Sequence, residues 1–229
     1  MLSEILPAAI AAGLVAILVT VMIERYGGGV GWDLGTVPTT IVPAVAGMAS
    51  AQGDTELLDS LSVVPAGMLI NAIFLSAWIY LPPRIQDMSA RRSLAVTTAT
   101  ALVAWAIFGM MAIFCIDSAS DSGFRARDIA VIGVVLTAAF GIYLGWSPGD
   151  SPKGSREVSK SVLLARGGMA ATAIGASVWV AGLGYPLIAG LASVFPAIFL
   201  TSMVALWISP VSYTHLRAHE TPEHLGLRG

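Results

Sequence analysis

The side chains that could titrate or bind metal near neutral pH are few, and most of them crowd one end of the chain. His215, His219 and His224 are the only histidines, and Glu220 follows the second of them. Histidines at i and i+4 suit one face of a helix and would supply part of a metal site. The other residues able to act on a solute are scattered through apolar surroundings. Asp33 stands in GGGVGWDLGTVPTTIVPA, ahead of Thr36, Pro38, Thr39 and Thr40. Asn71 is central in one apolar run, and Ser193 and Pro196 stand within another. There is no HExxH, no Gly-x-Ser-x-Gly, no phosphate-binding glycine loop and no cysteine pair. The clustered acids, such as Asp117 and Asp121, fall in a polar stretch that reads as a solvated loop, so neither an enzyme nor a cofactor is expected.

What must position these residues is a membrane. The chain has 229 residues, 56% of them hydrophobic and only 11% charged, against about 25% charged in soluble domains. Apolar runs long enough to cross a bilayer recur along it, so the lipid bilayer is the expected partner. A net charge of −2 with no basic stripe excludes nucleic acid. The lone Cys115 reads as a small buried hydrophobe. The first segment has no basic leader and no small-x-small cleavage site before Glu24, which predicts a retained helix.

The fold class expected is all-α, a polytopic helical membrane protein in one domain over 1–209. Spans are expected at 5–23, 28–50, 62–83, 93–116, 129–147, 163–181 and 186–208, giving seven crossings, or six if 27–50 is re-entrant. Between them AQGDTELLDSL, RIQDMSARR, DSASDSGFRARD and SPGDSPKGSREVSK read as loops. Positive residues are retained in the cytoplasm. Arg84, Arg91 and Arg92 mark loop 84–92, and Lys153, Arg156 and Lys160 mark loop 148–161, so these two face the cytoplasm of a bacterial inner membrane. Trp78, Trp146, Trp179 and Trp207 lie near span ends, as interfacial anchors do. Arg166, alone in its apolar run, is expected to snorkel to the cytoplasmic face. Trp105 and the Met110–Met111 pair read as packing residues.

Two segments look alike. LGTVPTTIVPAVAGM (34–48) and LASVFPAIFLTSM (191–203) share a leucine, a small residue, Thr or Ser, a proline and a closing Met. Five crossings separate them, so a repeat would be inverted, the arrangement in which transporters form sites at broken helices near the midplane. A full five-plus-five scheme needs ten helices, more than the chain shows. Pro38 and Pro43 remove backbone donors, and groups freed this way are tolerated at membrane depth only beside protein or a water-filled cavity. The plainer alternative is that these glycines and prolines serve close helix packing. Asp33 reads as a carboxylate for proton or sodium coupling, or as an interfacial residue beside Trp32. Asn71 could bind substrate or tie two helices, worth about 1 kcal/mol. The substrate-binding set is therefore Asp33, Thr36, Pro38, Thr39, Thr40, Asn71, Ser193 and Pro196, in a secondary transporter for a small solute. A scaffold or assembly subunit is the second expectation, and a membrane enzyme the third.

Two resemblances bear on this. VSYTHLRAHET (211–221) resembles, at all 11 positions, one reading frame of a transposase-based DNA-sequencing adapter. That resemblance implies that 210–229 is a read-through tail, that its histidines are no metal site, and that the native chain continues with further helices. The stretches ERYGGGVGWDLGTVPTTIVPA, VPAGMLINAIFL, WIYLPPR and AGLASVFPAIFLTSMVALW resemble an uncharacterised family of bacterial multi-pass membrane proteins, over most of 10–209. The resemblance implies the fold and brings no substrate. In that family the position of Asp33 carries a small or apolar residue.

Overall fold

The computed structural model describes residues 2–26, 40–145 and 159–208, and all of its regular structure there is helical. In chain order the elements are α1 (Leu2–Tyr26), α2 (Ile41–Ala51), α3 (Asp54–Ser62), α4 (Val64–Tyr80), a 3₁₀ turn (Pro82–Arg84), α5 (Ala90–Asp121), α6 (Ala126–Gly145), α7 (Lys160–Gly182), α8 (Pro186–Ser193) and α9 (Ala197–Ile208). Six stretches are long and apolar enough to cross a membrane: Leu2–Met22, Asp54–Arg84, Ala90–Asp121, Ala126–Tyr143, Lys160–Gly182 and Pro186–Ile208. Large apolar side chains such as Leu14, Ile107, Phe114 and Val135 cover the outside of the bundle. This surface suits lipid and not water. The molecule is an all-α polytopic bundle.

At its centre α1 and α7 run antiparallel in close contact. A Cβ added at Gly13 would lie 3.0 Å from the Gly167 carbonyl oxygen, and one at Gly175 would touch Ala9 and Ile5. Small residues at such positions let helix backbones approach, which replaces the hydrophobic drive that lipid does not provide. The guanidinium of Arg166, near the start of α7, bonds Thr20 near the end of α1, which marks one end of the bundle. Ser177 marks the other. Its hydroxyl donates to the Ala189 carbonyl at 2.8 Å and lies 3.5 Å from the Met48 sulfur. Helix α2 belongs to that second end, with Gly47 wedged between Ala8 and Val178. Ala8, Ala12, Met48, Ile174 and Val178 form the core there. Thr20, late in α1, thus lies at the Arg166 end and Met48, late in α2, at the Ser177 end.

Several expectations need correction. AQGDTELLDSL is not a loop, because Asp54–Ser62 is helical and runs almost directly into α4. Asp54 and Glu56 in its first turn complement the positive helix N-terminus, and Leu57 and Leu61 pack on the core. Helix α5 likewise continues through Asp121, so DSASD is its last turn and not a loop. Cys115 is exposed on the outside of the bundle, not buried. Trp78 is buried, packed edge-to-face on Trp207 at 6.3 Å, and is not an interfacial anchor. Trp179 is half exposed.

One buried group stands out in the α4–α5 interface. Thr97 is fully buried and its hydroxyl has no hydrogen-bond partner among the described residues. An unsatisfied buried hydroxyl costs about 1–3 kcal/mol. Thr97→Val keeps the shape and removes the polar group, so it is expected to raise the melting temperature of the detergent-solubilised protein. A fall would show that the hydroxyl is bonded.

Candidate functional site

Pro196 interrupts what would otherwise be one helix from Pro186 to Ile208. Proline has no N–H and its ring crowds the carbonyl four residues back, here Ala192. The backbone answers by tightening, with Val194 N–H bonding Leu191 and Phe195 N–H bonding Ala192, and the helix restarts at Ala197. Breaking the ladder frees the Val194 carbonyl inside the bundle, where it has to be bonded by something other than water. Asn71 does this from α4, its Nδ2–H donating to Val194 O at 2.9 Å. Its Oδ1 in turn accepts the indole N–H of Trp105, midway along α5, also at 2.9 Å. The Trp105 ring meets Phe195 edge-to-face, 5.3 Å between centroids. Two helices and the break are therefore held by one side-chain amide that is only 5% exposed. Gly67 makes room for this, since a Cβ there would fall 2.2 Å from a methyl of Val194.

Beside the break, between α5 and α7, is a cleft of about 600 Å³. Trp105, Phe195 and Ala192 form one side of it, and Gly168, Thr172 and Ala176 of α7 are among the residues on the other. A second cavity of about 360 Å³ lies among α3, α4, α5 and α6, lined by Leu69, Ile73, Phe108 and Cys115 among others. Its lining is almost wholly apolar, with one hydroxyl, that of Ser62, which donates to Asp59 O at 2.7 Å.

Arg166 does not snorkel. It is 8% exposed, and its two terminal nitrogens donate to Thr20 Oγ1 at 3.0 Å and Ser202 Oγ at 2.7 Å. Both hydroxyls donate onward to carbonyls of their own helices, Ala16 and Ile198, which leaves their lone pairs for the cation. Arg166 thus stitches α1, α7 and α9 together.

Of the residues read from the sequence, Asn71 and Pro196 meet at the break. Ser193 sits one residue before Val194, but its hydroxyl turns back to Gly190 O at 2.7 Å. Pro196 is fully buried. Thr40 is half-buried at the start of α2 and makes no side-chain cap. Asp33, Thr36, Pro38 and Thr39 lie outside the described residues, as do His215, His219, Glu220 and His224. The sequence reading missed Trp105 and Phe195 as partners of the break. An indole N–H inside an apolar run needs an acceptor, and that was the available signal. No protein-family model, curated protein or solved structure matches the chain.

Proposed function

We propose that this membrane-embedded bundle is a secondary transporter for a small solute, with the interrupted α8–α9 helix as its moving element. The observation that carries the reading is the break at Val194–Pro196, buried at mid-bundle, held by a single amide and adjoining a cleft of solute size. Ligand pockets occupy about 300–1,000 Å³, so the size is suitable. Placing α2 at the Ser177 end and α9 at the Arg166 end of an antiparallel α1–α7 pair is what an inverted repeat of 34–48 and 191–203 requires, and it supports that part of the reading. In such carriers the site lies where the halves meet, and one half rocks against the other. We place the protein in a bacterial inner membrane, with loops 84–92 and 148–161 cytoplasmic and proton or sodium coupling through Asp33.

The scaffold alternative draws on Gly13, Gly47, Gly67, Gly109 and Gly190, each of which lets another helix approach closely. A panel of small solutes offered to proteoliposomes, with and without an imposed proton or sodium gradient, separates the two. A transporter accumulates at least one solute and loses that flux in Asn71→Leu while still inserting. No flux of any solute, together with loss of a co-purifying partner in glycine variants, would establish the scaffold instead.

A further inference from the structure

Resting on the transporter reading, we infer that the α5–α7 cleft is its solute site and that it takes a small, flat, uncharged aromatic molecule with at most one hydrogen-bond donor. The walls set the shape. Trp105 and Phe195 present aromatic surface on one side, while Gly168, Thr172 and Ala176 leave the facing side low. Gly168 is open enough that an added Cβ would meet nothing within 4 Å.

The polar inventory sets the chemistry. The Thr172 hydroxyl already donates to Gly168 O at 2.8 Å, so it keeps lone pairs to accept one N–H or O–H from a ligand. The Trp105 N–H is committed to Asn71. Among the described residues no charged side chain lines the cleft, and Arg166 is turned to Thr20 and Ser202. An ion entering would give up hydration without replacement, which a neutral arene does not face. Aromatic rings favour edge-to-face or offset contact with such walls.

The same two aromatic residues touch the break, Phe195 by belonging to it and Trp105 through Asn71. A molecule against them acts on the clamp directly. It can bias the break only through a difference in contact between clamped and released forms.

The test uses the full chain in lipid nanodiscs and 3-trifluoromethyl-3-phenyldiazirine, a flat neutral photolabel, with free indole as competitor. Labelling of the 165–176 and 192–195 peptides is expected to saturate and to fall with excess indole. Gly168→Phe should reduce it by about tenfold or more, a loss of roughly 1.4 kcal/mol in binding. Ala176→Phe should act alike from the other end. Gly141→Phe, at an equally open and exposed glycine of α6, should leave it unchanged and controls for folding. Labelling that rises linearly and ignores indole would overturn the proposal and assign the cleft to lipid chains. So would stronger competition by indole-3-acetate than by indole. A failure of the transporter reading looks different. There, labelling saturates as expected, but the thiol of Ala192→Cys is reached from one membrane face only.

Discussion

Gly190→Val is expected to yield little or no monodisperse protein after solubilisation. A Cβ at Gly190 would fall 2.0 Å from the carbonyl oxygen of Ser60 and 2.8 Å from its carbon. These are backbone atoms of α3, so no rotamer change relieves the clash and the two helices must separate. Separation would also pull on Ser60, whose side chain bonds Gln52 across the α2–α3 turn. Overpacking a well-filled interior costs about 1–3 kcal/mol and sometimes more, and a backbone clash belongs at the upper end. Gly168→Val is the matched control, because its added methyls extend into open space. Equal yield and melting temperature for the two variants would show that α3 and α8 are not in contact.

Asn71→Leu is expected to leave the protein inserted but to loosen the break. Leucine strands both the Val194 carbonyl and the Trp105 N–H in an apolar interior. Unsatisfied buried groups cost about 1–3 kcal/mol. Interhelical hydrogen bonds in a membrane bundle measure less, averaging about 0.6 kcal/mol with a maximum near 1.7. For two bonds lost together, about 1–2 kcal/mol is expected. Amide exchange should rise around Val194–Leu200 while α1 and α7 stay protected. Uniform loss of protection would mean Asn71 holds the whole bundle and not the break. Asn71→Asp, which keeps the acceptor for Trp105 but loses the donor for Val194 when ionised, should loosen the break without freeing the indole.

The fold class was legible because the solvent writes itself into the sequence. Runs of apolar residues near bilayer length announced the helices, but 186–208 read as one span and the break at Pro196 went unread, although a proline without an N–H inside an apolar run was the signal for it. Errors clustered where polar residues occur inside helices. Asp54 and Glu56 made α3 look like a loop, although they favour a helix start and Leu57 and Leu61 keep the core contact. Arg166 was read alone, yet its partners Thr20 and Ser202 come from helices far away in sequence. The bond from Asn71 to Val194 spans 123 positions. Spacing carries no information at that range: Asn71, Ser193 and Pro196 stood out by residue type, but Val194, whose backbone carbonyl is the acceptor, did not. Cys115 was placed inside on residue type, a guide that fails when lipid covers the outside.

We propose that the break moves to open the cleft to each side of the membrane in turn. The direct measurement is thiol accessibility at Ala192→Cys in a Cys115→Ser background, using a small membrane-impermeant reagent on vesicles of both orientations. Modification is expected from both faces, at rates that Asn71→Leu changes in opposite directions. Modification from one face alone, or from neither, would rule out alternating access.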